Sequence, residues 1–464
     1  MKINFKKPNT KDVLWVKIDP KYLNEVVKEN GVKTLYLKRE ENMTLRKLFL
    51  LARKVIALAK GAKAEKIAVD FRDFSTRQDL VTTRQDLTTV TEEELAEILG
   101  TEFCFADYEF TEYKSKKEST SVKEVFVLGA DKNLEKYFIK GLAVAEEVNK
   151  TRTLANTPGG DMTPKILAGK AREAVKGLPV KVTAFGEREM AKQKMNAILS
   201  VGRGSDEESQ FIIMEYWGGP KSEKPIVLVG KGVTFDAGGI NLKPSSSLTG
   251  MNMDMSGGAA VIHTVALVAK MKLKKNVIAL IPSVENFVSG KSYRPGDVIR
   301  SMSGATIEIL NTDAEGRVIL ADALSYAQKY KPKVVIDIAT LTGAAAVALG
   351  ERMSALFSDD DELCKKLEKI GDKTSDYMWR LPMWEEHENE IKGKVGDWTN
   401  VRSDDSRYGG ATYGAIFLKQ FTKGYSWVHI DIASRMTSMS GEYLAPGALG
   451  TPVRLLYKFI EERE

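Results

Sequence analysis

From residue 180 onward the chain carries seven short runs of β-branched and apolar residues, at 180–184, 211–216, 225–229, 276–282, 305–310, 333–338 and 427–432. Between several of them lie alanine- and leucine-rich stretches such as 258–271 and 318–330. Strand and helix in turn bury their apolar surfaces in few ways, and the expected one is an α/β fold: a mostly parallel central sheet covered by helices on both faces. Ligand sites in such sheets lie at the carboxyl ends of the strands. The earlier part of the chain mixes short runs at 33–37 and 66–71 with a helical stretch at 45–60, which predicts a smaller N-terminal α/β domain over residues 1–132. Leu134, Phe138, Leu142, Ala145 and Val148 are spaced for one helix, so 133–152 is expected to be a linker helix, ending at the turn formers Asn156-Thr-Pro-Gly-Gly160. The larger domain then occupies 153–464. Thr76-Arg-Gln-Asp-Leu80 recurs as Thr83-Arg-Gln-Asp-Leu87, and two copies read as a local duplication rather than a repeat architecture.

Composition removes several function classes. Three histidines and two cysteines among 464 residues cannot supply most zinc sites built on imidazole and thiolate. Cys104 and Cys364 lie far apart with no CxxC spacing, so neither a disulfide framework nor a redox motif is expected. Lysine and arginine (69) exceed aspartate and glutamate (63) by six, without a basic tail. The polar start MKINFKKPNTK lacks the apolar core of a secretory signal, and the apolar stretch 257–269 is too short to span a bilayer. A cytoplasmic location and no membrane partner are therefore expected.

Three segments behind the apolar runs carry candidate chemistry. The first is Gly230-Lys-Gly-Val-Thr-Phe-Asp-Ala-Gly-Gly-Ile-Asn-Leu-Lys-Pro244. It contains neither GxGxxG nor GxxxxGK[ST], which argues against a nucleotide loop and leaves Lys231, Asp236 and Lys243 in a glycine-flexible loop. In the second, Met251-Asn-Met-Asp-Met-Ser-Gly-Gly258, an extended backbone would put the methionines on one face and Asp254 on the other. Asp254 also fits a plain N-terminal helix cap. The third is Asn311-Thr-Asp-Ala-Glu-Gly-Arg317, followed by a helix expected from about residue 318. Residues 311, 313, 315 and 317 are spaced by two, so an extended backbone would turn all four to one side. Acids that close repel each other unless a cation intervenes. Arg317 would make a salt-bridged turn; a divalent ion would make a metal site.

Together the blocks VGKGVTFDAGGINLKP, MNMDMSGGAAV, NTDAEGR, DIATLTGA and WVHIDIA, with NTPGGDMTP and GALGTPVRLL, resemble the leucyl aminopeptidase (cytosol aminopeptidase) family of dinuclear metallopeptidases. They span roughly residues 150 to 455, which the resemblance makes the catalytic domain. The N-terminal third carries no comparable block.

Carried over position by position, the resemblance implies that Asp236 and Glu315 bridge two divalent ions, that Asp313 completes one site, and that Lys231 and Asp254 complete the other. Manganese or zinc is expected, with magnesium or cobalt as alternatives. A ligating lysine must be neutral, which neighbouring dications and burial favour. The resemblance further implies a water activated by two metals, an oxyanion stabilised by Lys243, and a bicarbonate held as general base by Arg317, Leu341 and amides of the DAEGR turn. Met251, Thr340, Gly343, Ala433 and Met436 would line an apolar pocket for a leucine-sized side chain, and Asn311 is counted among the substrate-binding positions. Ser434 and Arg435 depart from the small residues expected after Ala433. The implied reaction releases N-terminal amino acids, preferably leucine or other apolar residues, from peptides with a free N-terminus. A homohexamer is expected. DNA binding, known for some members of the family, is the weaker alternative given the mild charge excess. His429 is expected to be structural, His263 a core residue and His387 solvated.

Overall fold

A computed structural model describes every residue except 10–11, 41–42, 75–79, 82–86, 89, 117–120, 405, 407 and 463–464. The repeated pentapeptide therefore lies outside the described residues apart from Leu80 and Leu87. The chain divides into two compact units, residues 1–149 with 438–447, and residues 150–437 with 448–464. The helix Glu135–Asn156 runs through the sequence boundary between them.

The first unit is a six-stranded sheet in the order Lys2–Asn4, Glu124–Leu128, Lys66–Asp70, Leu14–Asp19, Val32–Lys38, Glu25–Glu29. All its neighbours pair parallel except the last two. Two helices, Leu45–Gly61 and Glu92–Asp107, pack on each other. Each starts at a threonine: Thr44 accepts from the Lys47 amide, and Thr91 forms a reciprocal capping box with Glu94.

The second unit is built on nine strands. Eight follow the order Met378–Arg380, Ser354–Phe357, Ser426–Asp431, Val334–Ala339, Ile226–Gly230, Asn276–Asn286, Gln210–Trp217, Val180–Phe185, and Gly232–Asp236 pairs with the far half of Asn276–Asn286. The middle of the sheet is parallel, and Gln210–Trp217, Val180–Phe185 and the Ser354–Phe357 contact are antiparallel. Every residue of Ile226–Gly230, Asn276–Asn286 and Val334–Ala339 is buried. Continuous burial of this kind is what layers on both faces impose, and it explains why these strands read as apolar runs rather than alternations.

The connections fix where the site lies. The chain goes from Ile226–Gly230 through the helix Ser256–Lys270 to Asn276–Asn286, then back through the helix Glu315–Ala327 to Val334–Ala339, on the opposite flank of Ile226–Gly230. Right-handed crossovers run in opposite directions put their helices on opposite faces. The packing agrees: Ser256–Lys270 meets the helix Val453–Glu461, whereas Glu315–Ala327 meets the helices Asn196–Gly202 and Gly410–Lys419. Such a reversal opens a crevice at the carboxyl end of the strand it flanks, and the first residue beyond Ile226–Gly230 is Lys231.

One strand expectation is corrected. The apolar run at 305–310 is not in this sheet; its strand is only Thr306–Glu308, in a separate three-stranded sheet with Val298–Arg300 and Trp398–Thr399. Its apolar side chains, Ile307 and Ile309, are buried in the same core as the helix Glu315–Ala327, so burial produced the pattern without central-sheet membership. Among the described residues no helix is long and apolar enough to cross a membrane.

Candidate metal centre

Lys231 sits at the break between Ile226–Gly230 and Gly232–Asp236. Its amide donates to the Ile338 carbonyl (3.0 Å) and its carbonyl accepts from the Gly258 amide (2.7 Å), so a neighbouring strand and a helix both hold its backbone. The approach is close enough to demand glycine at 257, where a Cβ would overlap the Ile338 carbonyl oxygen, and a Cβ on Gly316 would come within 2.7 Å of the Lys231 Nζ and push that side chain aside. The buried Lys231 Nζ then lies 2.8 Å from Asp254 Oδ2, 2.7 Å from Glu315 Oε1 and 3.0 Å from the Thr340 carbonyl, to which it donates. Lys243, closing a loop in which its amide donates to the Ala237 carbonyl, puts its Nζ 2.8 Å from Asp236 Oδ2 and 2.5 Å from Asp313 Oδ1.

The four carboxylates arrive from different elements. Asp236 ends the strand Gly232–Asp236; its Oδ1 accepts from the Gly238 amide and the Asn286 side chain, each at 2.9 Å. Asp254 lies in the 3-10 turn Met251–Met255, not on an extended strand, and accepts a 2.6 Å bond from the Thr340 hydroxyl. Asp313 is in the turn before the helix Glu315–Ala327, and Glu315 is that helix's first residue. The segment 311–317 is thus not extended: a turn at 311–314 and the first helical turn bring Asp313 and Glu315 together. One carboxylate oxygen each from Asp236, Asp313 and Glu315 lie within 4.8 Å of one another.

Electrostatics show how strained this arrangement is without further positive charge. Burial raises the pKa of Asp254 and Glu315, and Asp236 adds to the rise of both; Asp313 is raised by burial and by Asp236. Burial alone would lower Lys231, but Asp254, Glu315 and Asp236 outweigh it and hold the ammonium above the ordinary lysine range; Lys243 is raised in the same way by Asp236, Glu315 and Asp313. A neutral, ligating Lys231 therefore requires other cations among these carboxylates. The donor set fits them. Asp254 Oδ2, Asp313 Oδ1 and Glu315 Oε1 are buried at ion-pair distance from an ammonium, yet find no aligned hydrogen bond among the described residues. Four carboxylates facing two ammoniums are also short of positive charge. Clustered oxygens of this kind are what hard and borderline dications accept.

Arg317 does not pair with these acids, as a salt-bridged turn would have it; the two lysines do, and they offset only half of the negative charge. Its Nη1 donates 2.8 Å to the Asn400 carbonyl, and among the described residues it makes no other hydrogen bond. Burial lowers its pKa to about 10, leaving it charged at neutral pH. The Leu341 amide donates 3.1 Å to Asp431 Oδ1, so any share in holding an anion would compete with that bond. Of the substrate-binding candidates, Thr340 turns its hydroxyl to Asp254 and its carbonyl to Lys231. Gly343 opens the helix Gly343–Leu349 beside open space, and that helix packs on the 3-10 turn Ala433–Arg435. Met251 and Met436 are half-buried, as is Asn311, whose Oδ1 accepts from the Asp313 amide. Ser434 and Arg435 are buried, Ser434 donating to the Met353 carbonyl.

Sequence reasoning missed the groups that hold the acids. Asn286, Tyr293 and Thr312 form a buried net: Asn286 Nδ2 and the Tyr293 hydroxyl both donate to the Thr312 carbonyl, at 3.0 and 2.7 Å. Asn400 clamps the turn from the small sheet. A polar residue ending an all-buried strand, as Asn286 does, was a usable signal; Asn400 offered none. His429 is buried as expected, its Nδ1 2.6 Å from Asp337 Oδ1, with the Trp427 indole donating to Asp337 Oδ2 at 2.6 Å.

The description "Cytosol aminopeptidase family, catalytic domain" matches residues 149–457. A probable cytosol aminopeptidase of Rickettsia africae (strain ESF-5) is 40% identical over 453 residues, covering 95% of this chain and 88% of the relative. Another, of Nitrosomonas eutropha (strain DSM 101675 / C91 / Nm57), is 46% identical over 362 residues, covering 77% of this chain and 72% of the relative. Among solved structures, the bottromycin maturation enzyme BotP in complex with Mn superposes with a TM-score of 0.84 at 29% identity, covering 97% of this chain and 99% of that one.

Proposed function

The chain belongs to the cytosol aminopeptidase family, hence to the metal-dependent aminopeptidases, and from that premise we propose that it releases N-terminal leucine and other apolar residues from peptides by a two-metal mechanism. The observation that carries the reading is the convergence of Asp236, Asp313 and Glu315 oxygens within 4.8 Å, with Lys231 and Asp254 against the same cluster. Asp236 and Glu315 would bridge two divalent ions, manganese or zinc, with Asp313 on one and Lys231 and Asp254 on the other. When bound, such ions polarise a carbonyl and acidify a water.

The chain's own groups supply the rest. Lys231 and Asp254 would hold the ion on the side where the substrate's free α-amine would sit, which would confine cleavage to the N-terminus. Lys243, kept charged by its carboxylate neighbours, donates to the developing oxyanion. Arg317, anchored through one nitrogen, offers its remaining N–H groups at a helix start, a setting that suits an anion such as bicarbonate; that anion would accept the proton that histidine accepts in many hydrolases. Met251, Thr340, Gly343, Ala433 and Met436 would line the apolar pocket, with Asn311 among the substrate-binding residues. A cytoplasmic homohexamer in which residues 153–464 form the catalytic domain completes the reading.

The test compares leucine amide with N-acetyl-leucine amide, before and after chelation and re-addition of manganese or zinc. Metal-dependent cleavage of the free-amine substrate alone is expected. Equal cleavage of the acetylated form would remove the aminopeptidase assignment.

A further inference from the structure

We propose that Asn400 is a positioning residue that sets both the turn bearing Asp313 and leading into Glu315, and the guanidinium of Arg317; this rests on the two-metal reading above. Asn400 is fully buried at the end of the two-residue strand Trp398–Thr399, far in sequence from everything it touches. Its side chain uses both ends. Nδ2 donates to the Asn311 carbonyl at 2.6 Å and to the Ala314 carbonyl at 3.4 Å, and Oδ1 accepts from the Leu310 and Asn311 amides at 2.9 and 3.3 Å. Its backbone is engaged as well: its amide donates to the Glu308 carbonyl at 3.1 Å, and its carbonyl accepts from Arg317 Nη1 at 2.8 Å.

The placement matters because residues 310–314 have no regular ladder of their own. They connect a three-residue strand to a helix whose N-cap position, Ala314, makes no side-chain capping bond. A buried turn in that state must find partners for its amides and carbonyls elsewhere, and Asn400 satisfies Leu310, Asn311 and Ala314 at once. Asp313 lies inside the clamped stretch and Glu315 directly after it. The same residue's carbonyl then fixes where Arg317, two residues beyond Glu315, can point. Outer partners of metal ligands typically govern affinity by about 10–100-fold.

Asn276 provides a matched control. It too is a buried asparagine bonded at both ends, donating to the Pro220 and Glu223 carbonyls and accepting from the Gly219 amide, but it begins the strand Asn276–Asn286 and so lies at the amino end of the sheet. Purified Asn400→Ala, Asn400→Asp and Asn276→Ala proteins would be titrated with manganese by calorimetry, melted, and assayed on leucine amide. Asn400→Ala is expected to weaken manganese binding by about 10–100-fold and to lower kcat more than it changes KM. Asn400→Asp keeps the side-chain volume and the acceptor bonds but sets a carboxylate oxygen where Nδ2 faced the Asn311 and Ala314 carbonyls, so it should weaken binding at least as much, and it tests the role if the alanine variant does not fold. Asn276→Ala should lower the melting temperature while leaving manganese affinity within about twofold of the starting protein. Manganese affinity and kcat unchanged in a folded Asn400 variant, or lowered equally by Asn276→Ala, would overturn the positioning role. Unmutated protein that binds no manganese would overturn the two-metal reading along with it.

Discussion

Glu315 is the residue on which most of the site depends. It is 1% exposed, touches Lys231, and offers an oxygen to the same space as Asp236 and Asp313. Glu315→Gln keeps the volume and removes the charge, so activity on leucine amide should fall by more than about a hundredfold, beyond what loss of an outer hydrogen-bonding partner costs; full retained activity would remove it as a bridging ligand. Lys243→Met should cut kcat by about 10²–10³ with KM little changed, the signature of a donor that acts mainly on the transition state. His429 supplies a prediction away from the metal ligands. Burial opposes its charge, but Asp337 outweighs burial and raises its pKa above the ordinary histidine value. A raised folded-state pKa means stability that is fully present below about pH 6.5, the unfolded value, and is lost as pH rises through the folded value. The difference in urea-unfolding free energy between the unmutated protein and His429→Phe should therefore be largest in mild acid and shrink toward pH 8.5; a constant difference would contradict it.

At the scale of elements, the helix Glu315–Ala327 links the site to the core. The first two turns or so hold Glu315, Arg317 and Asp322, the last accepting buried bonds from the Ala197 and Ile198 amides at 2.9 and 3.1 Å and the Met302 amide at 2.7 Å. Asp322→Ala strands three buried donors, each costing about 1–3 kcal/mol, so a loss of several kcal/mol in denaturant unfolding is expected, with metal affinity less affected than by any Asn400 variant. The central strands were legible because burial on both faces makes continuous apolar runs, as at 226–229 and 333–338. The run at 305–310 misled for the same reason: Ile307 and Ile309 are buried in a core without belonging to the central sheet. Lys231, Asp236 and Asp254 were legible as charges placed behind strands or before a helix, and Asp313 and Glu315 as a motif. Asn400 was not, because an amide that bonds backbone groups 86–90 residues away leaves no periodic or local trace, and Asn286 left only its polar place at the end of an apolar run.

At the scale of the molecule, the parallel sheet reverses its crossovers at Ile226–Gly230, and every candidate ligand lies at that end of the strands or at the start of the next helix. Histidine and cysteine scarcity, which leaves too few ligands for most imidazole and thiolate sites, directs attention to a centre made of carboxylates and lysine. Such a centre, short of positive charge from its own side chains, should gain stability with its ions: removing divalent metal with a chelator should lower the melting temperature, and manganese should restore it. Two ions held together by this one cluster are what the proposed reaction needs. Counting manganese bound per chain, by elemental analysis of dialysed protein whose activity on leucine amide is measured in the same sample, tests that requirement most directly. Activity should rise to its maximum as two ions bind per chain, and Glu315→Gln protein should fail to hold both. Full activity with one ion or none would contradict it.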